Sequence, residues 1–186
     1  MLKRFVCCLL IAFTLCGLVS PVSVGASEMD HSSCAIPHLD IPLSYDVQHY
    51  VYELSWEYDI DPILVMAIIQ KESKCDPNTV GDYGKAIGLM QIQRQWHYER
   101  IRELKCTDLY DPYQNILVGM NYLAELFEGD MTMEWVLMAY NGGRTWANKH
   151  AVAGYTTKYA REVIDIMDDF CEELEAAYVT DVVDEA

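Results

Sequence analysis

The spacing of apolar positions predicts a chain built mainly of α-helices. From Ser44 onward, Val47, Tyr50, Val51, Leu54 and Tyr58 recur at three- and four-residue intervals, which places them on one helical face. Asp61-Pro62 then supplies a capping acid and a first-turn proline, and the helix they open runs through Ile63 to about Ser73. Its unbroken apolar run over residues 63–69 requires burial on nearly every side.

Residues 75–88 hold Asp76-Pro77, Asn78, Gly81, Gly84 and Gly88, a turn-forming stretch too irregular for helix. Residues 89–92 fit one short extended or helical turn, and an amphipathic segment follows from about Gln95 to Leu104. Asp111-Pro112 repeats the start signal ahead of the stripe Ile116, Leu117, Met120, Leu123 and Phe127, which stops at Gly129. Thr132 caps a further helix through Tyr140, closed by Gly142-Gly143. The last long helix starts at Thr156 or Thr157 and carries Val163, Ile166, Met167, Phe170 and Leu174. No internal repeat and no nucleotide-type glycine motif interrupts this order.

The two ends read differently. Lys3 and Arg4 precede an uncharged run that ends near Val19, and the small-residue site Val24-Gly25-Ala26 follows, which marks residues 1–26 as a signal peptide cleaved after Ala26. The run is short of the ~20 residues a membrane-crossing helix needs, and Leu15 is too bulky for lipidation at Cys16. The expected mature protein is therefore secreted, in the periplasm or cell wall, with no stable membrane insertion. Residues 27–43 lack periodicity and read as a linker or N-terminal arm, residues 44–175 as the folded domain, and residues 176–186 as an acidic C-terminal tail.

Composition narrows the function. With 186 residues, 52% hydrophobic and 23% charged, the chain suits one ordinary domain and excludes collagen-like or wholly disordered classes. A net charge of −16 repels phosphate backbones, so no nucleic-acid partner is expected. Cys34, Cys75, Cys106 and Cys171 remain after signal removal, too widely spaced for a zinc motif, and either disulfides or buried thiols fit them. The five histidines are scattered without ligand spacing. No metal or other cofactor is expected, and a monomer is the default.

Glu72 is the residue that carries chemistry. It lies near the end of the most apolar helix and shares a face with Val65, Ile68 and Ile69. Desolvation favours its neutral form, and the negative end of the helix dipole acts in the same direction. Those conditions suit a general acid working near neutral pH. The alternative is a helix-end glutamate turned to solvent or paired with Lys71 or Arg94.

The company of Glu72 decides between these. Glu72-Ser73, then Gly88-Leu89-Met90-Gln91, then Ala139-Tyr140-Asn141 and a late Tyr159 resemble the four ordered motifs of the soluble lytic transglycosylase domain, which shares the lysozyme-like fold of goose-type lysozymes. The resemblance spans about residues 44–170 and implies a single lysozyme-like helical domain with a glycine-rich loop lining a substrate cleft. It also implies that Glu72 is the sole catalytic acid and base acting on peptidoglycan glycan strands. Ser73 would steady the carboxylate or the substrate, Met90 would offer an apolar wall, and Gln91 an amide to the sugar. Tyr140 and Asn141 would line the cleft, and Tyr159 would point its hydroxyl at Glu72 or the sugar.

Two departures stand out. Cys75 replaces an aromatic of the family pattern, either packing in its place or pairing with Cys106, and Lys85-Ala86-Ile87 alters the loop before Gly88. The first functional expectation is an exported lytic transglycosylase. The second is a hydrolytic N-acetylmuramidase, for which Asp82 is the nearest second carboxyl and Asp76 a poorer one. A noncatalytic glycan-binding module and a structural protein of a secretion or conjugation assembly are the others. The same assembly is the candidate partner that would localise an enzyme with no wall-binding module. Trp96, His97, Trp146 and Tyr155 fit either a wider sugar-binding surface or packing, outside the core site.

Overall fold

The computed structural model describes residues 37–184, with side chains through residue 178. The expected signal peptide, Cys34 and residues 27–36 of the expected arm lie outside them. Seven α-helices and one small sheet make up the described residues. Helix α1 is Tyr45–Tyr58 and α2 is Pro62–Ser73, both as the periodicity predicts.

Residues 37–43 are not a loose arm. Leu39 and Leu43 are buried, and Gln48 of α1, itself buried, bonds Leu39 through both backbone groups and accepts no role at the surface. Its amide also donates to the Leu43 carbonyl at 3.0 Å. One glutamine side chain thereby replaces the backbone pairing that a segment without helix or strand cannot supply for itself.

Helix α2 forms the centre of the core. The Asp61 carboxylate accepts from the Ile63 amide at 2.8 Å, Pro62 fills the first turn, and Lys74 in a left-handed conformation (φ 54°) ends the helix. Residues 63–69 are all sealed from solvent. At about 1.5–3 kcal/mol for each fully buried large aliphatic side chain, this helix supplies much of the hydrophobic driving force. It packs on α1 and on the long last helix.

After α2 the turn-rich stretch closes into a three-stranded antiparallel sheet: β1 Val80–Gly81, β2 Ala86–Ile87 and β3 Ile92–Gln93. Gly81 pairs with Ala86 and Ile87 with Ile92. A single 3₁₀ turn, Asp82–Gly84, links the first two strands. Strands of two residues leave no alternation to read, which is why this segment looks irregular in sequence.

Helix α3 is Tyr98–Glu103, α4 is Pro112–Leu126 and α5 is Met133–Gly142, with Asp111 and Thr132 capping the last two as expected. Helix α6, Arg144–Val152, was not expected, because it buries only Ala147 and shows no apolar stripe. Gly143 (φ 83°) joins it to α5. Helix α7 is Lys158–Asp184, so the acidic segment read as a tail continues the last helix through residue 184.

Candidate active site

A cleft of about 870 Å³ opens where α2, the small sheet, α4 and the end of α5 meet. Its catalytic candidate comes from α2: Glu72 lines it at the helix end. The Tyr159 hydroxyl, from α7, donates to Glu72 Oε1 at 2.6 Å. Burial raises the Glu72 carboxyl above its ordinary value, opposed by the Tyr159 hydrogen bond and by the charge of Lys71. Lys71 makes its own ion pair with Glu162, at 2.7 Å, so the surface pairing available to Glu72 is not taken up.

Two tyrosines enclose the carboxyl. Burial and the nearby Glu72 raise both the Tyr140 and the Tyr159 phenols well above 10, so both remain protonated donors over the working range. Tyr140 donates to the Met90 carbonyl at 2.8 Å and so ties α5 to the loop before β3.

The expected site residues divide. Glu72, Gln91, Tyr140 and Asn141 line the cleft, and Tyr159 reaches it through Glu72. Ser73 and Met90 do not. The Ser73 hydroxyl is buried and donates to the Ile69 carbonyl of its own helix at 3.0 Å, which removes it from the carboxylate. Met90 is sealed in the core, and its sulfur lies where a side chain on Gly119 would have to go. Its contribution to the site is its carbonyl, held by Tyr140, rather than an apolar wall.

Gln91 has a strained backbone (φ 50°), and its amide donates to the Thr79 and Gly88 carbonyls at 3.1 and 3.0 Å. The side chain laces the loop across itself, with its carbonyl oxygen lying where a side chain on Gly81 would have to go. Asp82 also lines the cleft, with its carboxylate accepting from Gln93 at 3.0 Å. Cys75 and Cys106 are not joined. The Cys75 thiol donates to Gln70 and packs in the core, and the Cys106 sulfur faces the Leu104 and Gln114 carbonyls.

Asn115, Arg100, Asn121, Glu125 and Arg144 were not singled out from sequence. Asn115, fully buried in α4, accepts from the Met90 amide and donates to the Ile87 and Leu109 carbonyls, each at 2.8 Å. A lone amide beside the apolar stripe of α4 was the available signal, since a buried amide must find partners. At the far side, Arg100 of α3 reaches His97, Asn121 and Glu125, and Arg144 reaches Glu125 as well. Helical spacing links His97 to Arg100 and Asn121 to Glu125, but nothing in local sequence brings the three helices together. Trp96 stands at the rim, 75% exposed. Trp146 packs on Gly142, which lines the cleft, and on His150, and Tyr155 meets His150.

The helical domain thus encloses an open cleft lined by a desolvated carboxyl, Glu72, that a buried tyrosine holds. The model of the transglycosylase SLT domain family matches residues 49–162, and the chain belongs to that family. Among curated proteins it is similar to a transglycosylase of Enterobacteria phage PRD1, 37% identical over half of this chain and 34% of the relative. It is also similar to membrane-bound lytic murein transglycosylase C of Sodalis glossinidius, 32% identical over half of this chain and 30% of that protein. The chain thus spans about a third of the length of these relatives. The fold matches lytic transglycosylase Slt from Pseudomonas aeruginosa, solved as an inactive mutant, at a TM-score of 0.60 and 18% identity, over 73% of this chain and 25% of the other.

Proposed function

We propose that the protein is a peptidoglycan lytic transglycosylase that cleaves the β-1,4 bond between N-acetylmuramic acid and N-acetylglucosamine, with Glu72 as acid and then base. The observation that carries this reading is the Glu72 carboxyl itself: desolvated, at the cleft, and held by the Tyr159 hydroxyl at 2.6 Å. Burial keeps it protonated further up the pH scale than an exposed glutamate, so it begins the cycle as an acid.

In the first half, Glu72 gives its proton to the bridging oxygen as the bond to the anomeric carbon breaks through an oxocarbenium-like state. In the second, the Glu72 carboxylate takes the proton of the sugar's own C6 hydroxyl. The C6 oxygen bonds to the anomeric carbon and closes a 1,6-anhydro ring, and Glu72 returns to its acid form. The Tyr159 phenol stabilises the carboxylate between the two transfers. No water is consumed, and the Asp82 carboxylate, engaged by Gln93, has no required part.

Action on glycan strands calls for work outside the cytoplasm. Among the described residues no helix is long and apolar enough to cross a membrane. Docking on a secretion or conjugation assembly remains the reading for its localisation. A hydrolytic muramidase is the second reading, because Asp82 lines the same cleft.

Mass spectrometry of fragments released from purified peptidoglycan separates the two. Anhydro-ended fragments that disappear with Glu72→Gln support the transglycosylase. Reducing-ended fragments lost with Asp82→Asn support the muramidase and overturn the first reading.

A further inference from the structure

The far wall of the cleft contains an imidazole whose tautomer its neighbours dictate. Arg100 Nη1 lies 2.8 Å from His97 Nδ1. A guanidinium has donors only, so Nδ1 must be the acceptor, and a neutral imidazole with Nδ1 accepting carries its proton on Nε2. Arg100 cannot turn away easily: its Nε donates to Asn121 at 2.8 Å, its Nη2 pairs with Glu125, and its guanidinium lies over the Tyr122 ring. The His97 ring also packs edge-on against Tyr122, with centroids 4.7 Å apart.

Charging the ring would set two donors against each other beside a cation. Burial and Arg100, against the weaker pull of Glu125, push His97 down to about 4, in agreement with that geometry. His97 lines the cleft, and its Nε2 has no protein partner among the described residues.

The balance of polar groups in the cleft gives this nitrogen its meaning. The Gln91 amide is held by Thr79 and Gly88, the Gln93 amide by Asp82, and the Tyr140 hydroxyl by Met90. Glu125 is taken by Arg100 and Arg144, and the donors left facing the cleft without a protein partner among the described residues are the Asn141 amide, the Trp96 indole and His97 Nε2. A strand of N-acetylated sugars brings acetamido carbonyl oxygens that require donors.

We propose that His97 is a glycan-binding residue whose Nε2–H donates to an acceptor oxygen of the bound strand, with Arg100 as the positioning residue that fixes the tautomer. The inference rests on the functional reading above and adds a second, noncatalytic contact on the wall formed by α3 and α4.

The test uses the full chain carrying Glu72→Gln, which leaves the strand uncut, with an N-acetylglucosamine hexamer as the probe. Two-bond nitrogen–proton spectra of the imidazoles at pH 7 are expected to show His97 neutral with its proton on Nε2, and the Nε2 resonance to move on addition of the hexamer. Adding His97→Phe is expected to weaken binding about three- to tenfold, the effect of one neutral hydrogen bond. His97→Gln, which restores an amide donor, is expected to stay within about twofold of the parent. An Nδ1–H tautomer, a charged ring, or a resonance unmoved at saturating hexamer overturns the proposal without any further variant. Unchanged affinity in a folded His97→Phe protein overturns it as well. A parent that binds no hexamer, with a wild type that releases nothing from peptidoglycan, overturns the functional reading and this inference with it.

Discussion

Replacing Tyr159 with phenylalanine removes one oxygen and isolates the role of the contact to Glu72. In the folded protein that hydroxyl donates at 2.6 Å to a carboxyl that burial drives toward its neutral form. The phenol stays protonated, because burial and the Glu72 charge raise it well above 10, so it stabilises the carboxylate more than the acid. Its loss therefore moves the Glu72 carboxyl further upward. The acid holds its proton to higher pH, and the carboxylate that must accept the C6 proton loses the one side-chain hydrogen bond it has among the described residues. A hydrogen bond to a charged group contributes about 1.5–3 kcal/mol, or roughly a 10- to 100-fold fall in kcat if it is made fully only in the charged state. The assay is the initial rate of anhydro-ended fragment release from purified peptidoglycan across pH 4–9, with circular dichroism confirming the fold. The expected profile is lower throughout, with its alkaline limb displaced to higher pH. A Tyr159→Phe profile superimposed on the wild type, or displaced to lower pH, would refute the reasoning.

The same burial predicts that Glu72→Gln stabilises the protein at neutral pH. A carboxyl whose folded value is raised is most stable below its unfolded value of 4.5 and loses stability as pH rises through the folded value, so the gap in Tm should open above that range and close below it. Asn115→Ala strands one buried amide and two carbonyls, and chemical denaturation should show a loss of about 3 kcal/mol or more; less than 1 would contradict the bracing role. Gly88→Ala would drive its Cβ into the Asn115 amide and the Leu109 carbonyl at a φ of +77°, and should cost about 2–4 kcal/mol in the same experiment. Burial pushes the Cys75 thiol up to about 11, so iodoacetamide at pH 8 should leave it unmodified until denaturant is added.

The helices that were legible in sequence are those with two independent signals. Helices α2 and α4 each have an acid and a proline at the start and an apolar run or stripe behind it, and both begin where those residues predict. Helix α6 has neither, since its single buried residue leaves a polar surface that resembles a loop. Residues 37–43 failed for the opposite reason. Their burial depends on Gln48 and on the Glu173 carboxylate, which accepts from the Asp40 amide at 2.7 Å, and neither partner can be anticipated from a short apolar pair.

The site divides along the same line between local and distant causes. That Glu72 is desolvated follows from its own helix, whose apolar run must be buried wherever the rest of the chain folds. That its carboxyl is held by Tyr159 depends on a contact across 87 residues, reachable in sequence only through the family resemblance. Motif order pointed to Met90 and Ser73 as site residues, yet neither side chain lines the cleft. The motif marks a loop conformation: Asn115 grips the Met90 amide, Tyr140 grips the Met90 carbonyl, and Gln91 binds two carbonyls of the same turn. A side chain in the core can therefore belong to a functional motif because its backbone is the part being positioned. The cleft wall at His97 lies outside that motif logic, since its tautomer is set by Arg100 and steadied by Glu125 from α4, and only the folded arrangement brings those charges together.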